Sequence, residues 1–588
     1  MVKRGRIIFL IICVILNVNG FSQNKIKPNV ILIVTDDQGY GDFGFTGNPH
    51  VKTPAIDALA KKSVLFDNFY VSPVCSPTRS SLMTGRYSLR TGIRDTYNGG
   101  SIMASKEVTI AELLKKANYT TGIFGKWHLG DNYPSRPSDQ GFDESLIHLA
   151  GGMGQVGDVS NFFKGDKSYF DPTLWHNNKP QEYTGYCSDI FADNAIDFIE
   201  KNKSQPFFCY LSFNAPHTPL QVPEAYYNLY KNIDPSSGFQ KDSKPFVEMS
   251  EKDKEDARKV YGMVTNIDDN ISKLLKKLET LKIADNTVVI FMTDNGPEQQ
   301  RYKAGMRGRK SSVYQGGIRV PMLFRYPKLF NGIEKVETMS AHLDILPTIM
   351  QVCNLDLPED LKIDGKSLLP LVNDEFWQWK DRSLFFYWTR RYPELYKNMA
   401  IQKNNYKLVG LTNYDAEIND FQLFNINEDP YEQNNIIAEH IPLALALRND
   451  LDDTYKELTR SSNLINPPKI IIGSKYENPV ILNRNDAGGE HSIWKNEEVY
   501  GKWRVKIITA GLYNIKYKFL NPVKGNGRMV LETNGVIYQK TNKEILSDTI
   551  EMNNVSLVES DGEFVPFYQI GNKRIFPFSV AINQISRN

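Results

Sequence analysis

Cysteine is scarce in this chain, five in 588 residues, and the five are widely spread. That excludes a disulfide framework, which needs many paired thiols in a short chain. An excess of either charge is also missing: 70 Lys and Arg face 68 Asp and Glu, a net charge of +2. Nothing in that balance calls for nucleic acid or an anionic membrane surface, so an anionic ligand would need a local basic pocket. Beyond the N-terminus, no apolar run reaches the ~20 uncharged residues of a membrane span. Low-complexity segments and obvious repeats are absent too. What is there is ordinary globular material, 41% hydrophobic and 23% charged, which excludes a disordered or collagenous chain. At about 100–200 residues per domain, the length predicts two to four units.

The N-terminus reads MVKRGRIIFLIICVILNVNGFSQ. Lys3, Arg4 and Arg6 precede an apolar run from Ile7 to Val18, and Gly20-Phe21-Ser22 is a small-x-small cleavage pattern. This predicts a secretory signal peptide over 1–22 and a mature protein that is secreted or periplasmic. Cys13 follows the bulky pair Ile11-Ile12, which argues against a lipoprotein anchor. Of the remaining cysteines, Cys187, Cys209 and Cys353 read as packing residues. Cys75 does not: its segment, PVCSPTRSSLMTGR from Pro73 to Arg86, surrounds it with small polar residues, prolines and arginines. Polar, electropositive surroundings predict a reactive cysteine with a lowered pKa.

The run Asn29-Val30-Ile31-Leu32-Ile33-Val34-Thr35 is continuous, apolar and β-branched, as in a strand buried on both faces of a parallel sheet. It ends in Asp36-Asp37. Thr287 to Thr293 repeats the pattern and ends in Asp294-Asn295-Gly296. Between them, Thr53-Pro54 reads as an N-cap and first helical residue, and Ile267, Ile271, Leu274, Leu275 and Leu278 recur at helical spacing. Strands alternating with helices predict an α/β fold with a mostly parallel central sheet flanked by helices, which binds ligands at the carboxyl ends of its strands.

From about Phe385 the texture changes to short strands, Met399-Ala400-Ile401, Tyr406 to Val409 and Gln422-Leu423-Phe424, and then a helix across His440 to Leu458. This predicts a small α+β subdomain over 385–465, following a catalytic domain over 23–384. Ser461 to Pro468 is polar with a double proline. Beyond it Trp503, Val505 and Ile507, and then Tyr513, Ile515, Tyr517 and Phe519, alternate around Ala510-Gly511. That period of two predicts a β-sandwich over 466–588.

Asp36, Asp37, Asp294 and Asn295 form an all-oxygen set, and hard oxygen ligands select Ca²⁺ or Mg²⁺ over zinc. Strand-end Asp and Asn also cap helices and make turns without any metal. Cys75 decides between these readings. The spacing Cys75-x-Pro77-x-Arg79, followed by Leu82-x-Thr84-Gly85-Arg86, makes the chain resemble the type I sulfatases, of alkaline phosphatase-like fold. Further motifs of that family follow in order: Gly125-Lys126-Trp127-His128-Leu129-Gly130, Asn214-Ala215-Pro216-His217, Thr293-Asp294-Asn295-Gly296, and Lys310 followed by Gln315-Gly316-Gly317-Ile318-Arg319-Val320-Pro321. The resemblance runs from Pro28 to about Leu458. Gln315 departs from it, since the family commonly has Glu there.

The resemblance implies that a maturation enzyme oxidises Cys75 to formylglycine, whose hydrated aldehyde is the nucleophile. A serine would be left as a stable sulfate ester, whereas one hydroxyl of a geminal diol attacks and the other expels sulfate by reforming the aldehyde. It further implies that Asp36, Asp37, Asp294 and Asn295, with residue 75, hold one Ca²⁺; that Lys126, His217 and Lys310 contact the sulfate; and that Arg79 and His128 hold and activate the diol. Chemistry agrees, since cations stabilise the developing charge and imidazole transfers protons near neutral pH. His50, His148, His342, His440 and His491 read as packing or turn residues.

These motifs predict a sulfuric ester hydrolase acting on a sulfated glycan. Gly151 to Gly185, with Tyr169-Phe170-Asp171 and Trp175-His176-Asn177-Asn178, has the composition of a carbohydrate subsite, with His176 as a contact, or of a long loop packed on itself. The C-terminal sandwich reads as a brace rather than a sugar-binding module. Two rivals stand. A phosphatase or phosphonate monoester hydrolase of the same superfamily would favour a strand ending in Asp-His, where this one ends in Asp294-Asn295. A non-catalytic glycan-binding relic would have lost polar residues that this chain retains.

Overall fold

The computed structural model describes residues 27–239, 244–329, 332–374, 377, 379, 382–490 and 492–587. The expected signal peptide, Cys13 and His491 lie outside them.

The apolar runs form the centre of a large sheet. Five parallel strands stand side by side in the order Thr287–Thr293, Asn29–Thr35, Phe207–Ser212, Thr120–Lys126 and Glu144–His148. Asn29–Thr35 is buried at every position, as a strand covered on both faces must be. One face packs on Ile267, Ile271 and Leu274 of the helix Glu251–Thr280, and the other on Ile345, Leu346 and Ile349. Antiparallel pairings bound this five-strand parallel run on both sides. Arg319–Arg325 and Val64–Tyr70 extend one side antiparallel, and the hairpin of Thr173–His176 and Lys179–Glu182 extends the other. Pro54–Ala60 is helical as expected, but the Thr53 hydroxyl donates to Asp57 instead of capping the helix.

Beside this sheet lies a four-stranded antiparallel sheet, Ser383–Tyr387, Met399–Lys403, Tyr406–Gly410 and Gln422–Asn425, covered by the helix Ile441–Thr459. Its first strand straddles the boundary expected at 384/385. Ser461 to Pro468 is no open linker: Asn463 is buried and donates to the Arg90 carbonyl and to Glu107. The C-terminal strands form two facing sheets whose core holds Trp503, Tyr513, Tyr517, Phe519 and Phe564. Tyr97 and Ile102, from the N-terminal half of the chain, are buried in that same core.

Candidate active site

The parallel strands run the same way, so their carboxyl ends gather at one edge, where ligands bind in such sheets. Asp36, Asp294 and Lys126 all sit there, and all are fully buried. Backbone bonds fix their loops to one another. Asp36 N–H donates to the Ala215 carbonyl, beside the His217 loop, and Asp294 N–H donates to the Thr35 carbonyl. Ser311 N–H donates to the Pro73 carbonyl, which holds Lys310 against the Cys75 segment. Gly125 is required by close approach: its φ is +119°, and a Cβ there would lie 1.8 Å from the Ser212 carbonyl oxygen. Asp37 (φ 60°) and His128 (φ 59°) are left-handed without being glycine, a strain that concentrates at functional sites.

Cys75 opens the helix Cys75–Thr84, which is buried along its whole length and ends at Gly85 in the left-handed conformation. Residue 75 therefore stands at the positive end of a helix dipole. One turn on, Arg79 donates from Nη2 and Nε to Asp294 at 2.7 and 3.0 Å, and from Nη1 to the Lys126 carbonyl and the Ser212 hydroxyl. Lys126 Nζ donates to Asp36 at 2.5 Å, and Lys310 Nζ to Asp37 at 2.7 Å. The Asn295 amide donates to Asp37 at 2.7 Å.

His128 Nδ1 lies 3.5 Å from Cys75 Sγ, and its Nε2 lies 2.7 Å from the Thr96 carbonyl oxygen. A carbonyl only accepts, so Nε2 carries the proton and Nδ1 turns a lone pair toward residue 75. Burial, with Lys126 adding to it, holds the imidazole well below its ordinary pKa. His217 is arranged alike: Nδ1 donates to the Thr218 carbonyl at 2.7 Å, leaving Nε2 3.7 Å from Asp37.

Nine expected residues thus join Cys75 in one buried cluster: Asp36, Asp37, Arg79, Lys126, His128, His217, Asp294, Asn295 and Lys310. His176 does not join it. It belongs to the antiparallel edge hairpin, opposite Leu146, and contacts Glu144 and the Tyr183 hydroxyl. From the same segment Tyr169 does reach the site, donating from its hydroxyl to the His217 carbonyl at 2.8 Å. Gln315 is buried and faces the Tyr70 hydroxyl, in a supporting position. The sequence reading missed Thr96 and Ser212, which orient His128 and Arg79, and no spacing marks either. Glu298, which accepts from Thr218 at 3.0 Å, could have been noticed two residues past Gly296.

The expectation of a lowered thiol pKa is overturned. Burial pushes the Cys75 thiol up; Lys126 and Lys310 pull against it, while Asp36 and Asp294 reinforce it. As a cysteine, residue 75 is a poor nucleophile here.

The oxygens fit a hard cation. Asp36 Oδ1 and Asn295 Oδ1 are buried and have no hydrogen-bond donor. Ligating atoms of Asp36, Cys75 and Asp294 lie within 4.8 Å of one another, as do those of Asp36, Asp37 and His217. Burial, then the neighbouring Asp36 charge, pushes Asp294 up to about 7 in spite of Arg79. Two carboxylates with too little positive charge between them behave in this way.

An α/β sheet with buried oxygens, cations and paired imidazoles at its head defines an enzyme acting on an anionic ester. The chain belongs to the sulfatase family and is a sulfatase: the Sulfatase family model matches residues 28–355, and the model for the N-sulphoglucosamine sulphohydrolase C-terminal region matches 309–460. Human N-acetylgalactosamine-6-sulfatase is 31% identical over 394 residues, 63% of this chain and 70% of that protein. The ulvan-active sulfatase of Formosa agariphila is 30% identical over 454 residues, 72% of this chain and 80% of that protein. A crystal structure of Ps i-CgsB in complex with k-i-k-neocarrahexaose matches with a TM-score of 0.63 and 31% identity, covering 74% of this chain and 94% of that one.

Proposed function

We propose that the protein removes sulfate from a sulfated polysaccharide or oligosaccharide, with a formylglycine made from Cys75 as nucleophile and one Ca²⁺ at Asp36, Asp37, Asp294 and Asn295. The observation that carries this reading is the position of residue 75: at a helix N-terminus, between carboxylates and cations, 3.5 Å from a histidine whose lone pair faces it. A bound Ca²⁺ would supply positive charge to the sulfate oxygens.

The chain's own groups do the rest. Lys126, Lys310 and His217 line the place of the sulfate, and a charged nest preorganised away from water stabilises the transition state. One hydroxyl of the residue 75 diol passes its proton to the Asp294 carboxylate beside it and attacks sulfur, and the bond from sulfur to the sugar oxygen breaks. His217, protonated at Nε2 while its Nδ1–H stays on the Thr218 carbonyl, gives the Nε2 proton to the departing sugar oxygen. His128 Nδ1 takes the proton of the second hydroxyl, so that the aldehyde reforms and sulfate leaves. Arg79 is saturated by Asp294, Ser212 and the Lys126 carbonyl, and acts by fixing these groups in register. Glycans are the favoured substrates because relatives are named for N-acetylgalactosamine 6-sulfate and ulvan, and a matching structure holds a neocarrahexaose. The predicted signal peptide assigns the enzyme to the periplasm or the exterior. The C-terminal sheets act as a brace, since Tyr97, one residue from Thr96, is buried in their core.

The test is sulfate release from a panel of sulfated oligosaccharides by enzyme made in a host that matures cysteine-type sulfatases. Wild type should release sulfate while a folded Cys75→Ser variant should not. Equal turnover by the two would reject the formylglycine nucleophile.

A further inference from the structure

A second cationic pocket lies beside the first. Where the 94–102 loop, the four-stranded sheet and the C-terminal sheets meet, a cleft of about 300 Å³ is lined by Arg94, Arg391, Tyr392, Lys502 and Arg504, with Asp486 at its base. That volume is at the lower end of ligand clefts. Arg94 is 6% exposed, and its Nε and Nη1 are buried without a hydrogen-bond partner. A buried guanidinium left unsatisfied is costly, and it makes no ion pair among the described residues. The face of Tyr392 lies 4.7 Å from its charge, and Asp95, beyond ion-pair distance, also favours that charge. Burial holds the Arg94 guanidinium below its ordinary pKa, and the nearby Arg504 charge adds to that effect.

The other cations are poorly matched too. Arg504 projects from the outward face of the strand Gly501–Ile507 and makes no ion pair among the described residues. Among the described residues the Arg391 guanidinium donates only to the Gly489 carbonyl, at 3.0 Å. Lys502 alone has a carboxylate, Glu563. Asp486 is engaged by the Ser101 hydroxyl and the Asn485 amide, and burial pushes its carboxyl up to about 6. Tyr392 is 42% exposed, and an exposed aromatic ring beside polar donors suits a saccharide face.

The cleft adjoins the reaction site through the chain itself. Thr96, whose carbonyl holds His128, is two residues from Arg94, so their Cα atoms are at most about 7 Å apart. Lys502 and Arg504 lie beyond residue 460, outside the stretches that the two family models match. Arg94, Arg391 and Tyr392 lie within those stretches, so the cleft joins matched residues to the unmatched C-terminal sheets.

We propose that this cleft is a specificity subsite that binds a second oxyanion, a sulfate or a carboxylate, carried by the same glycan whose sulfate ester is cut. Arg94 forms its floor, Arg391 and Arg504 its cationic walls, and Tyr392 a stacking face for the sugar that bears the charge. The proposal rests on the glycan-sulfatase reading above. It makes the enzyme selective for substrates with more than one anionic group.

The test compares wild type with Arg504→Gln and Arg94→Gln, all matured, on four substrates. These are a small aryl sulfate, a singly sulfated oligosaccharide, its multiply sulfated counterpart, and a singly sulfated oligosaccharide that contains a uronate. Arg504→Gln, at an exposed position, guards against loss of folding in the buried variant, and aryl sulfate turnover reports intact machinery. The expected result is a tenfold or greater loss of kcat/KM, carried by KM, on multiply charged glycans, with less than twofold change on the singly sulfated glycan and the aryl sulfate. Added NaCl should raise the wild-type KM on multiply charged glycans more than the variants'. Loss on the multiply sulfated glycan alone assigns the cleft to sulfate, and loss on the uronate alone assigns it to carboxylate. Equal losses on all substrates, or none on any, overturn the subsite. A wild type that cleaves the aryl sulfate but no glycan overturns the glycan reading itself, whereas glycan cleavage indifferent to Arg504 overturns only the inference.

Discussion

In the pocket at the head of the sheet, Asp36 meets Lys126, Asp37 meets Lys310 and Asp294 meets Arg79. In the seam beneath the C-terminal sheets, Asp158 and Asp486 are buried, Asp131 is half-buried, and all three meet only amides and hydroxyls. Asp131 accepts from Ala150 N–H and the Asn483 amide, Asp158 from Gly154 N–H and Asn161, and Asp486 from Ser101 and Asn485. The same residue type responds in opposite directions. Burial alone would raise Asp36, but Lys126, His217, Arg79 and Lys310 together outweigh it and hold the carboxyl low. Without a cation, burial pushes Asp131 well up, with Asp486 reinforcing it, and pushes Asp158 up to about 6. Charge at Asp36 is held in place by its cations, whereas Asp294 beside it, with Arg79 alone at contact distance, rises like the seam acids. The seam acids form no ion pair among the described residues, and Asp131 and Asp486 there make hydrogen bonds that join distant parts of the chain.

Removing a cation from the pocket should have the largest effect. Lys126→Met leaves Asp36 buried without its main partner, which typically costs 3–5 kcal/mol of stability, and it deletes a sulfate contact. Sulfate release should fall by a factor on the order of 10³ or more, and calorimetry should show a lower Tm. A variant within tenfold of wild type would mean that the pocket's charge pairing is dispensable.

Next in size is His128→Ala. The Nδ1 lone pair facing residue 75 is assigned the proton transfer, so kcat on a glycan should fall by about 10²–10⁴ with the Tm little changed. An unaltered kcat would transfer that role elsewhere.

Metal loading separates the two regions by a different route. Ca²⁺ at 100 times its Kd should stabilise the chelator-stripped protein by about 2.7 kcal/mol. Asp294→Asn should abolish that response, and Asp486→Asn should leave it intact. Stabilisation retained in the Asp294 variant would place the ion outside the pocket.

Asp486→Asn should give an effect of similar size to the metal's, and one of opposite sign to the two losses above. A carboxyl whose pKa rises on folding favours the folded state while protonated, and that contribution is lost as pH climbs through about 6. The amide cannot ionise. The variant's stability relative to wild type should therefore improve by about 2–3 kcal/mol between pH 4 and pH 8, as followed by denaturant unfolding at each pH. A flat difference would mean that folding does not raise the Asp486 pKa.

The contrast also explains what could be read from the chain. Asn29 to Thr35, Thr287 to Thr293 and the Cys75 segment announce themselves because local pattern and motif coincide, and the strands deliver their terminal acids to one edge of the sheet. The seam was illegible: Asn483 meets Asp131 from 352 residues away, and no local spacing encodes such a contact. His176 misled for a related reason. Its aromatic and polar neighbours suit a sugar site, but antiparallel pairing carries it back along Glu144–His148, away from the strand ends where the cluster sits. Thr96 was invisible because it acts through its backbone carbonyl, which any residue could supply.

The central claim, that residue 75 works as an aldehyde hydrate and not as a thiol, is tested most directly by the mass of the peptide spanning Pro73 to Arg86 from enzyme that is turning over. The account predicts that the CH₂SH side chain has become CHO, in proportion to specific activity across preparations. Full activity with an unmodified thiol at Cys75 would contradict it.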